Sequence, residues 1–271
     1  MLLILTLLAY LLSTAGYLAY LFFQKQSLSR WGLGLMAAGL LCHTALIGTG
    51  FFRTGRFPVD NLHDTLSLSA WAVAAVFLAV HRRYGLRILG AIAAPLAALI
   101  LGIAAGLPRD PAQAEIVFSN FWIILHVVTL FIGNAAFALA CGTGILYLLQ
   151  ESAIKNKTRG FFFRRLPSLT LLDSAGYAGI VVGFTALTLG LITGFVYAKS
   201  VWGRFWSWDP KEVWSGVMWL FYAALLHERL TVGWRGRKAA IMSIIGFGVL
   251  LFTFLGVNFL LEGHHEPFTR Q

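Results

Sequence analysis

Eight apolar segments follow one another along the sequence, and this pattern restricts the fold more than any other feature. A helix needs about 20 residues to cross a hydrocarbon layer of about 30 Å, and each segment approaches or exceeds that length. The composition agrees, with 58% hydrophobic and 12% charged side chains and a mean hydropathy of +0.76. An ordinary soluble domain is excluded, and we predict an all-α integral membrane protein forming one polytopic domain over residues 1–271. The predicted spans are residues 1–23, 31–52, 66–81, 86–106, 121–149, 176–198, 211–229 and 239–261.

The basic residues are concentrated on one side of this predicted arrangement. Of the 21 Lys and Arg residues, 14 lie in the connections after the first, third, fifth and seventh spans. The positive-inside rule places these connections in the cytoplasm and both termini outside. The net charge of +10 is therefore interpreted mainly as the determinant of membrane topology, and secondly as a means of contact with anionic membrane lipid. It does not indicate nucleic-acid binding. The 14 residues are Lys25, Arg30, Arg82, Arg83, Arg87, Lys155, Lys157, Arg159, Arg164, Arg165, Arg229, Arg235, Arg237 and Lys238.

A dense tryptophan cluster lies between the sixth and seventh predicted spans. The segment WGRFWSWDPKEVWS, within a predicted external loop at 199–215, holds four of the nine tryptophans of the chain. Such rings have flat apolar faces and one polar edge, so they suit the binding of a large planar molecule such as a porphyrin. The alternative is that they are membrane-interface anchors, which need no fixed spacing and no charges among them. The four are Trp202, Trp206, Trp208 and Trp214.

The acidic residues inside this segment also predict a helix start. Asp209 suits the N-cap position, Pro210 the first helical position, and Glu212 the reciprocal position of a capping box. The acids therefore have a structural role that is compatible with a binding surface just before the helix.

Histidines that are distant in sequence are predicted at the level of the tryptophans. His126 lies near the outer end of the fifth span, and His264 and His265 follow the eighth. Two neutral imidazoles on opposite sides of a planar ring system are what six-coordinate haem iron needs. Zinc is the competing metal, but the thiolates, Cys42 and Cys141, lie inside predicted spans and four tryptophans have no role in a zinc site.

Three of the four other histidines are considered as metal ligands. His227 is 17 residues beyond Pro210, so helical geometry places it about 25 Å deeper, near the inner boundary, as a candidate ligand of a second haem. His43 lies within the second span and His63 in the outer loop that follows. For both, the commoner outcome is a neutral imidazole hydrogen-bonded to a neighbouring helix.

The stretch WGRFWSWDPKEVWSGVMWLFYAALLH resembles the signature of haem-handling membrane proteins of cytochrome c maturation. Its DPKE form is similar to the CcsA (ResC-like) family, a subunit of the System II cytochrome c synthase with a tryptophan-rich WWD loop. The resemblance extends from FWIILHVV to GVNFLLEGHH. It implies that His126 and His265 are external haem-iron ligands and that His227 is an intramembrane one. It also implies a haem-binding loop made by Trp202, Gly203, Trp206, Trp208, Asp209 and Pro210, to which Trp214 is added as the fourth tryptophan of the cluster.

Two motifs depart from the family pattern. The last one usually ends Leu-His-Ser-Tyr, whereas this chain has His264-His265-Glu266-Pro267, so either histidine is open as the ligand. The outer-loop motif Pro, Asn, Glu-Ser appears as Pro58, Asn61 and Asp64-Thr65, which also suggests a turn and a helix start.

The resemblance implies a subunit of holocytochrome c synthase, or haem lyase, acting with a CcsB-type membrane partner that supplies a further histidine. It would carry haem b as cargo to the outer face of the cytoplasmic or a thylakoid-type membrane. There it would present the haem for thioether attachment to the CxxCH motif of apocytochrome c. Two alternatives stay open: a HemX-type haem-binding regulator of haem synthesis, and a haem exporter without ligation activity.

Overall fold

The computed structural model describes residues 1–55, 57, 59, 61–108, 121–157, 160–161 and 163–253, with all of their side chains except those of Thr54 and Trp202. Within these residues the regular structure is entirely helical. A 3-10 turn at Arg87–Leu89 precedes the fourth α-helix, and a π-helical turn at Glu228–Val232 follows the seventh. The α-helices are α1 (Leu2–Phe23), α2 (Gln26–Thr54), α3 (Leu62–Tyr84), α4 (Gly90–Ala105), α5 (Phe121–Lys155), α6 (Leu169–Trp202), α7 (Pro210–His227) and α8 (Arg237–Leu251).

Each predicted span corresponds to one of these helices. In the described part of the chain, α1 to α6 are long and apolar enough to cross a membrane, α4 together with the 3-10 turn that precedes it. The 18-residue α7 carries Lys211 and Glu212 in its first turn, and α8 is described over 15 residues. The all-helical membrane fold is confirmed, while eight crossings with both termini outside stay a prediction.

Local capping explains why α3 starts earlier than its predicted span. The Asn61 side chain accepts a hydrogen bond of 2.9 Å from the Asp64 backbone N–H, which satisfies one of the free donors of the first turn. The predicted helix start at these residues is confirmed, whereas Pro58 lies outside the described residues. His63 is therefore in the first turn of α3 and not in a loop as predicted.

Small residues allow α5 and α6 to pack closely along their length. A Cβ at Gly133 would lie 3.1 Å from the Gly183 carbonyl oxygen, and one at Gly179 would lie 3.1 Å from the Ala136 carbonyl oxygen. Glycine at such contacts brings helix backbones together where the hydrophobic effect provides no attraction between helices. The helix α5 also contacts α3 and α8, so it joins the α1–α4 group to the carboxy-terminal helices.

Aromatic packing attaches α7 to this pair. The ring of Tyr222 stacks on that of Phe137 of α5, with centroids 3.5 Å apart and planes 9° apart. Trp219 Nε1–H donates to the Thr188 hydroxyl of α6 at 2.9 Å. These contacts set the position of α7, and with it the direction in which the tryptophan segment leaves α6.

Candidate functional site

The irregular part of the tryptophan segment is shorter than the predicted loop at 199–215. Helix α6 continues through Trp202 and ends at Gly203, whose φ of +72° is in the left-handed region that favours glycine. The Lys199 ammonium donates to the Gly203 carbonyl at 2.8 Å. Since α7 begins at Pro210, only residues 203–209 form the connection, and Trp202 and Trp214 belong to helices.

The start of α7 has the predicted cap. Asp209 is buried, and its Oδ1 accepts from the Lys211 backbone N–H at 2.9 Å. Glu212 accepts from the Ser207 backbone N–H at 2.7 Å and from the Ser207 hydroxyl at 2.9 Å. In a simple capping box, the Glu212 side chain would accept from the backbone N–H of the N-cap residue, Asp209. Here it accepts from Ser207 instead. It holds the connection against the first turn of α7.

The tryptophans of the connection combine one packed ring with one exposed ring. Trp206 packs edge-on against Phe195 of α6 at 5.7 Å and against Trp208 at 5.9 Å, measured between ring centroids. Trp208 is 77% exposed, with a φ of +61°. A bulky residue in this region costs on the order of 1–3 kcal/mol and persists only where its surroundings impose it. The connection therefore holds a large aromatic face outward at a cost in stability.

His126, on the second turn of α5, is oriented by the backbone of α6. Its Nδ1–H donates to the Gly190 carbonyl oxygen at 2.7 Å, a bond that fixes the tautomer in which Nε2 carries the lone pair. A Cβ at Gly194 would lie 2.6 Å from both Cε1 and Nδ1 of the imidazole. Gly190 and Gly194 were not among the predicted site residues. Their four-residue spacing on one face of a helix was the available signal.

Helix α6 brings His126 and the tryptophan connection to one level. Gly194 contacts the imidazole, and the next residue, Phe195, packs on Trp206. Trp214 lies slightly further along α7 and packs on Phe252, with ring centroids 4.7 Å apart. The side chain of Trp202, and His264 and His265, lie outside the described residues.

His227 is remote from this group. It is the last residue of α7 and is exposed, and its carbonyl accepts from the Thr231 hydroxyl at 2.6 Å. The 18 residues of continuous helix separate it from the tryptophan connection by about 27 Å. The predicted difference in depth is thus present along α7.

Two of the three histidines of the first half, His43 and His63, are enclosed in the helix packing. His43 is fully buried, with Nδ1 bonded to the Tyr10 hydroxyl at 3.2 Å and Nε2 to the Ser67 hydroxyl at 2.9 Å. His63 is also buried, and its Nδ1–H donates to the Ala104 carbonyl. Both follow the commoner outcome predicted for lone histidines within a membrane protein.

Comparison with known proteins identifies the family. The family model described as cytochrome C assembly protein matches residues 59–265, most of the chain. The chain belongs to this family. Curated relatives named cytochrome c biogenesis protein CcsA include one from Synechococcus elongatus, 34% identical over 87% of this chain and 86% of the relative. Another, from Guillardia theta, is 32% identical over 96% of this chain and 93% of the relative.

A solved structure supports the fold. The structure of "Cytochrome c Heme Lyase CcmF" aligns with a TM-score of 0.67 at 18% identity, covering 97% of this family member. The alignment spans 46% of CcmF, so the chain corresponds to about half of that larger protein. At this identity the likeness concerns the helical arrangement. The CcsA relatives, matched over most of their length, support a role in cytochrome c biogenesis.

Proposed function

We propose that this chain receives haem b as cargo, moves it to the outer face of the membrane and presents it for thioether attachment to apocytochrome c. It would do so as the CcsA-type subunit of a holocytochrome c synthase with a CcsB-type partner. The observation that carries the proposal is the fixed imidazole of His126 at the level of the packed Trp206 and the exposed Trp208.

The state of His126 suits iron ligation. Histidines that bind metals commonly donate their second ring N–H to a backbone carbonyl or a carboxylate, which sets both tautomer and ring orientation. The Gly190 carbonyl supplies that acceptor for Nδ1–H. In this tautomer Nε2 carries the lone pair, so it would be the nitrogen that binds iron.

The tryptophan pair would support the porphyrin. Trp208 offers an exposed ring, and Trp206 sets its angle through a contact at 87°. The buried Nε1–H of Trp206 has no hydrogen-bond partner among the described residues, and an acceptor group on a bound ligand would satisfy it. Asp209, Pro210 and Gly203 hold the connection through the cap and the left-handed turn already described.

The second external ligand is assigned to His265, with His264 as its control. Both lie outside the described residues, so the assignment depends on the family motif alone. His227 would hold haem at the inner end, and its exposure suits completion of that site by a CcsB-type histidine. Added imidazole should partly restore haem binding to His227→Ala if ligation is its role.

In the proposed reaction the chain positions groups and contributes no covalent step. Each cysteine thiol adds across a haem vinyl group: the S–H bond breaks, a C–S bond forms at one vinyl carbon, and the hydrogen goes to the other. No net oxidation or reduction occurs. The contribution of the protein is to hold the vinyl carbons beside the thiols, which removes much of the entropic barrier.

The test is co-expression of the chain with a CcsB-type partner and an apocytochrome c in a bacterium that lacks its own cytochrome c maturation. We expect haem that stays on the cytochrome after denaturing electrophoresis. Purified protein should show the spectrum of six-coordinate bis-histidine haem, and His265→Ala should remove it while His264→Ala retains it.

Two results would contradict the proposal. Haem export with an unmodified apocytochrome would indicate the exporter. A change in haem-synthesis flux without any effect on cytochromes would indicate the HemX-type regulator.

Reporter fusions after Ser200 should read as external and those after Arg235 as cytoplasmic; the reverse orientation would rule out an outer site at the tryptophans.

A further inference from the structure

A cavity of about 710 Å³ lies at the end of the bundle opposite the tryptophan connection. Its walls are the first turns of α6, the end of α3, Tyr147 of α5 and the segment joining α7 to α8. Helix α6 has 34 residues, so about 50 Å separate this cavity from the connection at its other end. The volume is within the range of small-molecule sites.

Asp173, the acidic residue in the cavity wall, already accepts three hydrogen bonds from the protein. Asp173 accepts two hydrogen bonds from the Arg229 guanidinium, at 2.7 and 3.0 Å, and a third from the Gly236 backbone N–H at 2.8 Å. Arg229 also lies over the Tyr177 ring, 4.4 Å from its centroid. This arrangement ties the α7–α8 segment to α6 and neutralises one positive and one negative charge. A ligand would therefore meet no free carboxylate here.

Apart from the Asp173–Arg229 pair, the polar side chains of the cavity wall are hydroxyl groups and one guanidinium, that of Arg235. Arg235 is exposed and makes no hydrogen bond or ion pair within the described part of the chain. Five hydroxyl groups also line the cavity, and no hydrogen bond links any of them to another described residue, whereas most other described helical Ser and Thr hydroxyls bond to a backbone carbonyl. The five belong to Tyr84, Tyr147, Thr170, Ser174 and Tyr177.

The donors and the positive charge in the cavity wall indicate which kind of ligand fits there. Hydroxyl and guanidinium donors around a net positive charge fit an anion with several acceptor oxygens, which a phosphate group provides. The cavity is at the ends of membrane-spanning helices, where lipid headgroups lie, and three tyrosines in its wall are typical of that depth. We propose that this cavity binds the phosphate headgroup of an anionic phospholipid, with Arg235, Thr170 and Ser174 as its principal contacts.

Such a lipid would brace the segment that follows α7. The segment contacts the cavity from Arg229 to Gly236, and Arg235 lies in this stretch. On a helix, residues two apart point to nearly opposite sides, so His227 and Arg229 face away from each other. The lipid site is therefore separate from the inner ligand proposed above, and its test needs no haem.

The experiment uses the full-length chain in nanodiscs of phosphatidylcholine with or without phosphatidylglycerol. Lipid retained after transfer to detergent is counted by native mass spectrometry. We expect one retained phosphatidylglycerol, with retention roughly ten-fold lower for Arg235→Gln, as for loss of a charged hydrogen bond. Ser174→Ala should lower retention less, and Arg30→Gln, which removes an exposed arginine outside the cavity, should leave it unchanged.

Three results would overturn the proposal. Equal losses in Arg235→Gln and Arg30→Gln would mean that surface charge alone retains the lipid. Equal retention of phosphatidylcholine would mean that the headgroup charge is not recognised. Displacement of the lipid by millimolar inorganic phosphate would assign the cavity to free phosphate. Thermal unfolding of each variant in phosphatidylcholine alone is the control for folding.

Discussion

His43 in the first half of the bundle and His126 in the second are held differently. In the first half, His43 is fully buried and both ring nitrogens bond to side chains of other helices. In the second half, the half-buried His126 is held at Nδ1 by a backbone carbonyl, and His227 is exposed. A fully engaged imidazole joins helices and is not available to a metal. An imidazole that is oriented through one nitrogen and is only half-buried, as His126 is and the buried His63 is not, is prepared to bind through the other nitrogen.

The largest effect should come from His126→Ala. Removal of an axial ligand leaves iron five-coordinate and easier to oxidise, so covalent cytochrome should fall to background in the co-expression assay. The haem spectrum should change while protein yield is retained. Normal cytochrome attachment in this variant would mean that His126, like His43, only joins helices.

Gly194→Ala should have the next largest effect. Its new methyl group would meet the imidazole at 2.6 Å, so the ring must turn and its bond to Gly190 weakens. Loss of such an orienting contact typically lowers metal affinity or activity about 10–100-fold. Haem titration, the haem spectrum and cytochrome yield measure this effect.

The matched control is Gly248→Ala on α8, where an added Cβ meets no atom within 4 Å. It should leave haem binding unchanged. If both alanine variants lose haem equally, the effect comes from the bundle as a whole and not from the orientation of His126.

Trp208→Ala should weaken haem retention without changing its coordination. The ring is 77% exposed, so its removal should cost the fold little. An aromatic contact contributes on the order of 1 kcal/mol beyond burial, which predicts an affinity about five-fold lower. Haem dissociation kinetics test this. A change from bis-histidine coordination would instead give Trp208 a role in placing a ligand.

The smallest effect on activity, with the clearest effect on stability, is expected for His43→Ala. The change leaves the buried hydroxyls of Tyr10 and Ser67 without their partner, at about 1–3 kcal/mol for such a loss. Thermal unfolding in detergent should occur at lower temperature, while the haem spectrum of the folded fraction stays unchanged. A change in the haem spectrum would instead indicate that His43 takes part in haem binding.

The positions of the helices were predictable because they depend on properties local to the chain. Apolar length determines where a backbone can enter a membrane. Asn61 and Asp209 mark helix starts through bonds that span two or three residues, and Pro210 does so through its fixed φ at the first helical position. The spacing of His227 from the tryptophans follows from the rise of one continuous helix. The sequence by itself therefore determined the helical class, the capped starts of α3 and α7 and the candidate ligands.

The tertiary structure decided which candidates meet and in what state. The bond from His126 to Gly190 joins residues 64 positions apart, and that from His63 to Ala104 joins residues 41 apart. No local pattern contains such pairs, because they depend on how neighbouring helices rotate and slide against each other. The same packing formed the cavity beside Asp173 and turned Trp208 outward. Residue types establish which chemistry is available, and the close approach of helices through their glycines decides where it is assembled.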